Sequence, residues 1–128
     1  MNFAYTIVYV EDVPASLAFF EQAFGLECRF RHESGAYGEL ATGATTLSFA
    51  QHEMARASLG HDYRKVADGA PLGMQVALST ADVAAAYARA LKAGAFGLAA
   101  PVAKPWGQTV AYVRCPDGTL VEICTPMN

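Results

Sequence analysis

Tyr9-Val10-Glu11-Asp12-Val13-Pro14-Ala15-Ser16-Leu17-Ala18 and Ser79-Thr80-Ala81-Asp82-Val83-Ala84-Ala85-Ala86-Tyr87-Ala88 stand 70 residues apart and match at Asp12/Asp82, Val13/Val83, Ala15/Ala85 and Ala18/Ala88. Each stretch follows an apolar strand and carries an aspartate where a helix N-cap accepts from an otherwise orphaned backbone N–H. Each runs on to a glycine suited to a helix end, Gly25 or Gly94. Pro14 suits the first helical turn, where a missing N–H costs nothing. Leu17, Phe20 and Phe24 recur at i, i+3 and i+7, with Phe19 and Ala23 widening the stripe. In the second stretch Val83, Tyr87 and Leu91 recur at i+4 intervals.

Strand-like segments follow each helix. In the first half they cover residues 26–31, 36–42 and 45–51, punctuated by Gly35 and Gly43. In the second half they cover 98–103, 109–114 and 120–125, separated by Pro105-Trp106-Gly107 and Pro116-Asp117-Gly118. Each half therefore reads β-α-β-β-β. A half of ~60 residues is a marginal domain alone, but two can share one interior. The expectation is an α+β fold in one domain over residues 1–128, with module one at about 1–51 and module two at about 73–128. The polar stretch at about 52–72 reads as a connecting loop with a helical turn near 54–59. Two curled mixed sheets would surround a concave cleft, with the helices on the convex side.

Composition narrows the function classes. The chain has 128 residues, 53% hydrophobic and 16% charged, enough apolar content to offset its ordering entropy without staples. A net charge of −3 with no basic stripe argues against nucleic acid as a partner. No apolar run approaches the ~20 residues of a membrane span, and Met1-Asn2-Phe3-Ala4-Tyr5 lacks the basic region of a signal peptide. Cys28, Cys115 and Cys124 are odd in number and show no CxxC spacing, so they read as reduced packing residues of a cytoplasmic protein.

One residue breaks the apolar pattern of the last strand. Glu122 stands in Leu120-Val121-Glu122-Ile123, and a buried carboxylate must be paired, metal-bound or protonated. The Val10-Glu11-Asp12 lead-in, Ser16, Phe19-Phe20, the Phe24-Gly25-Leu26 exit, Pro105-Trp106-Gly107 and Pro116-Asp117-Gly118-Thr119-Leu120-Val121-Glu122-Ile123 occur in this order along the chain. Together they resemble the vicinal oxygen chelate superfamily, which includes glyoxalase I, extradiol dioxygenases, fosfomycin-resistance enzymes and bleomycin-resistance proteins. The resemblance implies that the metal-ligand positions are Tyr5, Ser48, Gln75 and Glu122. Metal-dependent members usually have histidine at one or both of the positions held here by Tyr5 and Gln75. Phenol, hydroxyl and amide are weak neutral ligands, and one carboxylate holds a divalent ion poorly in water. No metal and no cofactor is therefore expected. His32, His52 and His61 show no ligand spacing, although His52 shares strand parity with Ser48 and is expected at the cleft rim.

Parity sketches the rest of the concave face. Ile7 and Tyr9 follow Tyr5 inward, Thr46 and Ala50 follow Ser48, and Leu120 and Cys124 follow Glu122; Val110, Tyr112 and Arg114 form the neighbouring inward set. Tyr112 also has the ten-residue spacing to Glu122 of a substrate-contacting tyrosine in fosfomycin-resistance enzymes. Trp106 is expected to cap one end. The candidate ligand-binding set is Tyr5, Ile7, Tyr9, Ser48, His52, Gln75, Trp106, Tyr112, Arg114 and Glu122, an aromatic cavity with sparse polar groups suited to a small organic molecule. Glu122 can pair with Arg114 or hydrogen-bond Tyr5; left unpaired, it is a candidate general base. Three functions fit. The first is a metal-free binding protein resembling bleomycin-resistance proteins, which the resemblance makes a homodimer with ligands at the subunit junction. The second is a lyase or isomerase of the same fold using Glu122 or an atypical metal site. The third is a regulatory module with a vestigial cleft.

Overall fold

The two repeated aspartates cap helices. Asp12 Oδ1 accepts from the Ala15 N–H and Asp82 Oδ1 from the Ala85 N–H, each at 3.0 Å. The computed structural model describes residues 1–127. It runs β1 (Tyr5–Val10), α1 (Val13–Phe24), β2 (Cys28–Arg31), β3 (Tyr37–Leu40), β4 (Thr46–Gln51), α2 (His52–Leu59), β5 (Val76–Ser79), α3 (Val83–Ala93), β6 (Phe96–Ala103), β7 (Thr109–Arg114) and β8 (Leu120–Cys124). Helices α1 and α3 stop at Gly25 and Gly94, both left-handed with φ of 71° and 117°.

The strands form two four-stranded mixed sheets of the same order, β1-β4-β3-β2 and β5-β8-β7-β6. In each, the first and last strands of a module run parallel and the remaining pairs are antiparallel. The sheets do not close into a barrel. Helices α1 and α3 pack together behind them, and Arg89 of α3 donates to the carbonyls of Gln22 at 2.8 Å and Glu21 at 3.4 Å in the last turn of α1. A cation there meets the negative end of the α1 dipole. The core lies between helices and sheets: Val8 and Val10 of β1, Leu17 and Phe20 of α1, Leu40, Phe49, Val113, Val121 and Ile123 are buried together. Phe20 and Phe49 have ring centroids 5.1 Å apart. Alternation along β1 thus sends Val8 and Val10 to the helices and leaves Tyr5 and Ile7 on the open face, 51% and 44% exposed.

Several boundaries differ from the sequence reading: β2 begins at Cys28, two residues late, β3 is trimmed to Tyr37–Leu40, and β4 and β8 are each one residue shorter. Strand β6 begins at Phe96, two residues before the expected start. The segment after β4 is an eight-residue helix, α2, in place of a loop with one helical turn. The Gln51 side chain caps it by accepting from the N–H groups of Glu53 and Met54, and Gly60 ends it in the left-handed region. No helix is long and apolar enough to cross a membrane among the described residues.

Candidate functional site

The antiparallel register of β7 and β8 sets Tyr112 directly opposite Glu122. Paired residues share a face, so the phenol reaches the carboxylate: Tyr112 Oη donates to Glu122 Oε1 at 3.0 Å. Gln75, just before β5, donates from Nε2 to the same oxygen at 3.2 Å. The second carboxylate oxygen, Oε2, has no hydrogen-bond partner among the described residues. Arg114 and Tyr5, the two partners that the sequence suggests for Glu122, make no hydrogen bond to it. Its own hydrogen bond to Glu122, and secondarily burial, push the Tyr112 phenol up, so Tyr112 stays a proton-bearing donor. Burial and then Glu122 push the Cys124 thiol up as well.

Module one builds a related cluster one strand over. Ser48 holds the place on β4 that Glu122 holds on β8, and it lies opposite Glu39 of β3 and Ile7 of β1. Tyr37 Oη donates to Glu39 Oε2 at 2.7 Å. Arg29 donates to Glu39 Oε1 from Nη2 at 2.8 Å and from Nε at 3.3 Å, and from Nη2 to Thr46 Oγ1 at 2.7 Å. The Tyr37 hydroxyl and then Arg29 hold the Glu39 carboxyl below the usual carboxylate range, while burial raises the Tyr37 phenol. Ser48 is fully buried and its hydroxyl has no hydrogen-bond partner among the described residues, the Tyr37 hydroxyl beside it being committed to Glu39. Arg29, Tyr37 and Glu39 are not among the residues expected from sequence. The period-two pair Tyr37-Gly38-Glu39 beside the Ser48 strand is the signal that could have found two of them.

The remaining candidates separate. Ile7, Tyr9 and Gln75 line one groove of about 220 Å³ with Tyr63, Leu72, Met74 and Leu120. Tyr9 packs on Tyr63 of the connecting segment with ring centroids 4.9 Å apart. Arg114 is turned to that segment, donating to the carbonyls of Gly69 at 2.8 Å, Val66 at 3.0 Å and Gly118 at 3.3 Å. It is a structural tie for the loop. Trp106 lies in the β6–β7 turn, 60% exposed, with Nε1 donating to Gln108 Oε1 at 2.9 Å. It sits before the start of β7 at Thr109 and makes no hydrogen bond or ring pair with Tyr112 among the described residues.

His52 is placed differently from the strand-parity expectation. Strand β4 ends at Gln51, so helical geometry governs His52. The ring lies buried beside Tyr63, its Nδ1 2.6 Å from the Tyr63 hydroxyl. It faces another cavity, of about 340 Å³, with Glu11, Phe19, Lys65 and Asp117. Burial, aided by Lys65, pushes the imidazole below its ordinary pKa.

The donor set at the four family positions does not fit a divalent metal. Tyr5, Ser48 and Gln75 are neutral, Gln75 and Tyr112 already occupy Glu122 Oε1, and no group of three or more His, Cys, Asp or Glu able to hold an ion gathers among the described residues.

Comparison with known proteins agrees with this architecture. A glyoxalase-related enzyme from Fulvimarina pelagi superposes with a TM-score of 0.85 at 23% identity, covering 98% of this chain and 88% of that one. A protein of unknown function from Agrobacterium tumefaciens gives 0.82 at 21% identity, covering 99% and 95%. TioX from Micromonospora sp. ML1 gives 0.74 at 21% identity, covering 99% and 100%. At such identities the likeness is one of fold. No curated protein matches the chain. The sequence profile of one family does match, over residues 2–123, and the chain belongs to the Glyoxalase/Bleomycin resistance protein/Dioxygenase superfamily.

Proposed function

We propose that the chain is a metal-free small-molecule binding protein that holds an aromatic or amphipathic ligand, drug or metabolite, on the concave face. The observation that carries this reading is the state of Glu122, whose Oε1 is satisfied by Tyr112 and Gln75 and so needs no metal to balance its desolvation. Gln75 shares a groove with Ile7 and Met74, exposed apolar surface of the kind that ligands cover. The free Oε2 favours ligands that bring a hydrogen-bond donor. The Gln75 amide, at the groove beside Glu122, supplies orientation.

A homodimer suits the same surface. Phe30, Phe96, Leu98 and Val102 are 46%, 66%, 50% and 53% exposed, apolar strand surface that a second chain would cover. A second copy laid against the open sheets would complete the cleft from two chains. The three unpaired cysteines suit a reducing, cytoplasmic setting. The second reading, a lyase or isomerase, rests on Oε2 as an acceptor for a substrate proton.

Fluorescence titration with N-phenyl-1-naphthylamine, a neutral aromatic probe, tests the binding reading. Saturable binding that weakens about tenfold or more on Ile7→Asp, with the variant still folded, is expected. Non-saturating fluorescence, or affinity indifferent to Ile7→Asp, would remove the cleft as the binding site. Turnover of any bound candidate would transfer the case to the enzyme reading.

A further inference from the structure

The register of β2 against β3 shifts between Cys28 and Phe30, so Arg29 and Phe30 both stand against Glu39. Such a bulge aims two consecutive side chains at one face. Here it brings a guanidinium and a phenyl ring to the concave side together, and the Phe30 ring lies 6.3 Å from that of Tyr37.

The guanidinium is held on one side only. Glu39 grips Nε and Nη2, and Thr46 takes a second bond from Nη2, which leaves Nη1 without a partner among the described residues. The Arg29 side chain is 45% exposed while Glu39 is only 13% exposed. A lone ion pair on an open face contributes little to stability. This one is locked from behind by the Tyr37 phenol, which fixes the guanidinium in one orientation, and a fixed guanidinium suits recognition of an anionic oxygen acceptor. The fully buried Ser48 hydroxyl, without a hydrogen-bond partner among the described residues, lies in the same cluster.

We propose that ligands of this concave site carry a carboxylate or sulfonate beside their aromatic body, and that Arg29 receives that group through Nη1 while Phe30 and Tyr37 flank the ring. This rests on the binding reading above and adds the class of ligand: an aromatic acid. Module one would read the acceptor end and Glu122 of module two a donor end.

Two probes that share a ring system test it. 1-Anilinonaphthalene-8-sulfonate carries the sulfonate, and N-phenyl-1-naphthylamine lacks it. Expected for the wild type is saturable binding of both, the sulfonate about tenfold tighter. Arg29→Gln should remove that preference and leave the neutral probe within about twofold. Raising sodium chloride from ~0.05 to ~0.5 M on the wild type alone should weaken only the sulfonate, a readout independent of how the variant folds. Equal affinities for the two probes in the wild type, or a sulfonate preference that survives Arg29→Gln, would overturn the assignment. Loss of saturable binding for both probes in the wild type would overturn the binding reading itself, and this assignment with it.

Discussion

Replacing Gly118 by alanine measures how tightly the connecting segment is pinned over the sheet edge. Gly118 ends the turn between β7 and β8 with φ of +98°, its N–H donating to the Cys115 carbonyl at 2.9 Å. An added Cβ would stand 2.5 Å from the Val66 carbonyl oxygen and 2.6 and 2.7 Å from the Ala67 Cα and N. These are backbone atoms, so the segment itself must move. Gly107 supplies the control, with φ of +100° and no atom within 4 Å of the place its added methyl would take. Gly107→Ala should cost only the left-handed strain, about 1–2 kcal/mol. Gly118→Ala adds the displacement of Val66 and Ala67, which breaks the Arg114 bonds to Val66 and Gly69, about 1 kcal/mol or more each. The total should reach about 3–5 kcal/mol. Urea unfolding of the two variants gives the difference, expected near 2 kcal/mol or above. Hydrogen exchange should show residues 62–69 losing protection in Gly118→Ala alone. Equal costs at the two glycines, or a Gly118→Ala protein as stable as the wild type, would refute the contact between the turn and the connecting segment.

Three further outcomes rest on the same geometry. Because burial depresses the His52 pKa, the unfolded chain binds more protons than the folded one just below pH ~6.5, so His52 contributes stability above that pH and loses it as pH falls. His52→Gln should therefore flatten the decline in Tm between about pH 7 and pH 5, read by thermal melts across pH. Phe20→Ala empties the centre of the core, where the ring is fully buried against Phe49 and Phe24, and should cost about 3–5 kcal/mol in urea unfolding. Asp82→Ala removes the α3 cap bond to Ala85 and should cost about 1 kcal/mol while leaving probe affinity unchanged, measured by melts and titration together.

The architecture is legible in the sequence because its signals are local and repeated. Asp12 and Asp82 cap helices through the same bond, Gly25 and Gly94 end them, and parity along β1 assigns Val8 and Val10 to the core. Parity fails where the backbone departs from regular geometry. His52 is the first helical residue after a strand, so its direction follows a helical step of about 100° rather than strand alternation. The bulge at Arg29 depends on pairing with β3, which no single strand's sequence reveals. Arg114 illustrates a third reason. Its partners, Val66 and Gly69, lie in an irregular segment whose path follows from tertiary packing rather than periodicity. The pairing of Glu122 with Tyr112 requires only the hairpin register, and the choice of Gln75 as second donor requires the parallel approach of β5 to β8.

On the function proposed above, protein donors alone hold the Glu122 carboxylate and the ligand binds without a metal. Elemental analysis of untagged protein decides this, as purified and after incubation with nickel, cobalt, zinc, manganese or ferrous ion followed by desalting. A donor set of one carboxylate with phenol, hydroxyl and amide predicts less than about a tenth of an equivalent retained in every case. Near-stoichiometric retention of any of these metals that disappears in Glu122→Ala would contradict it.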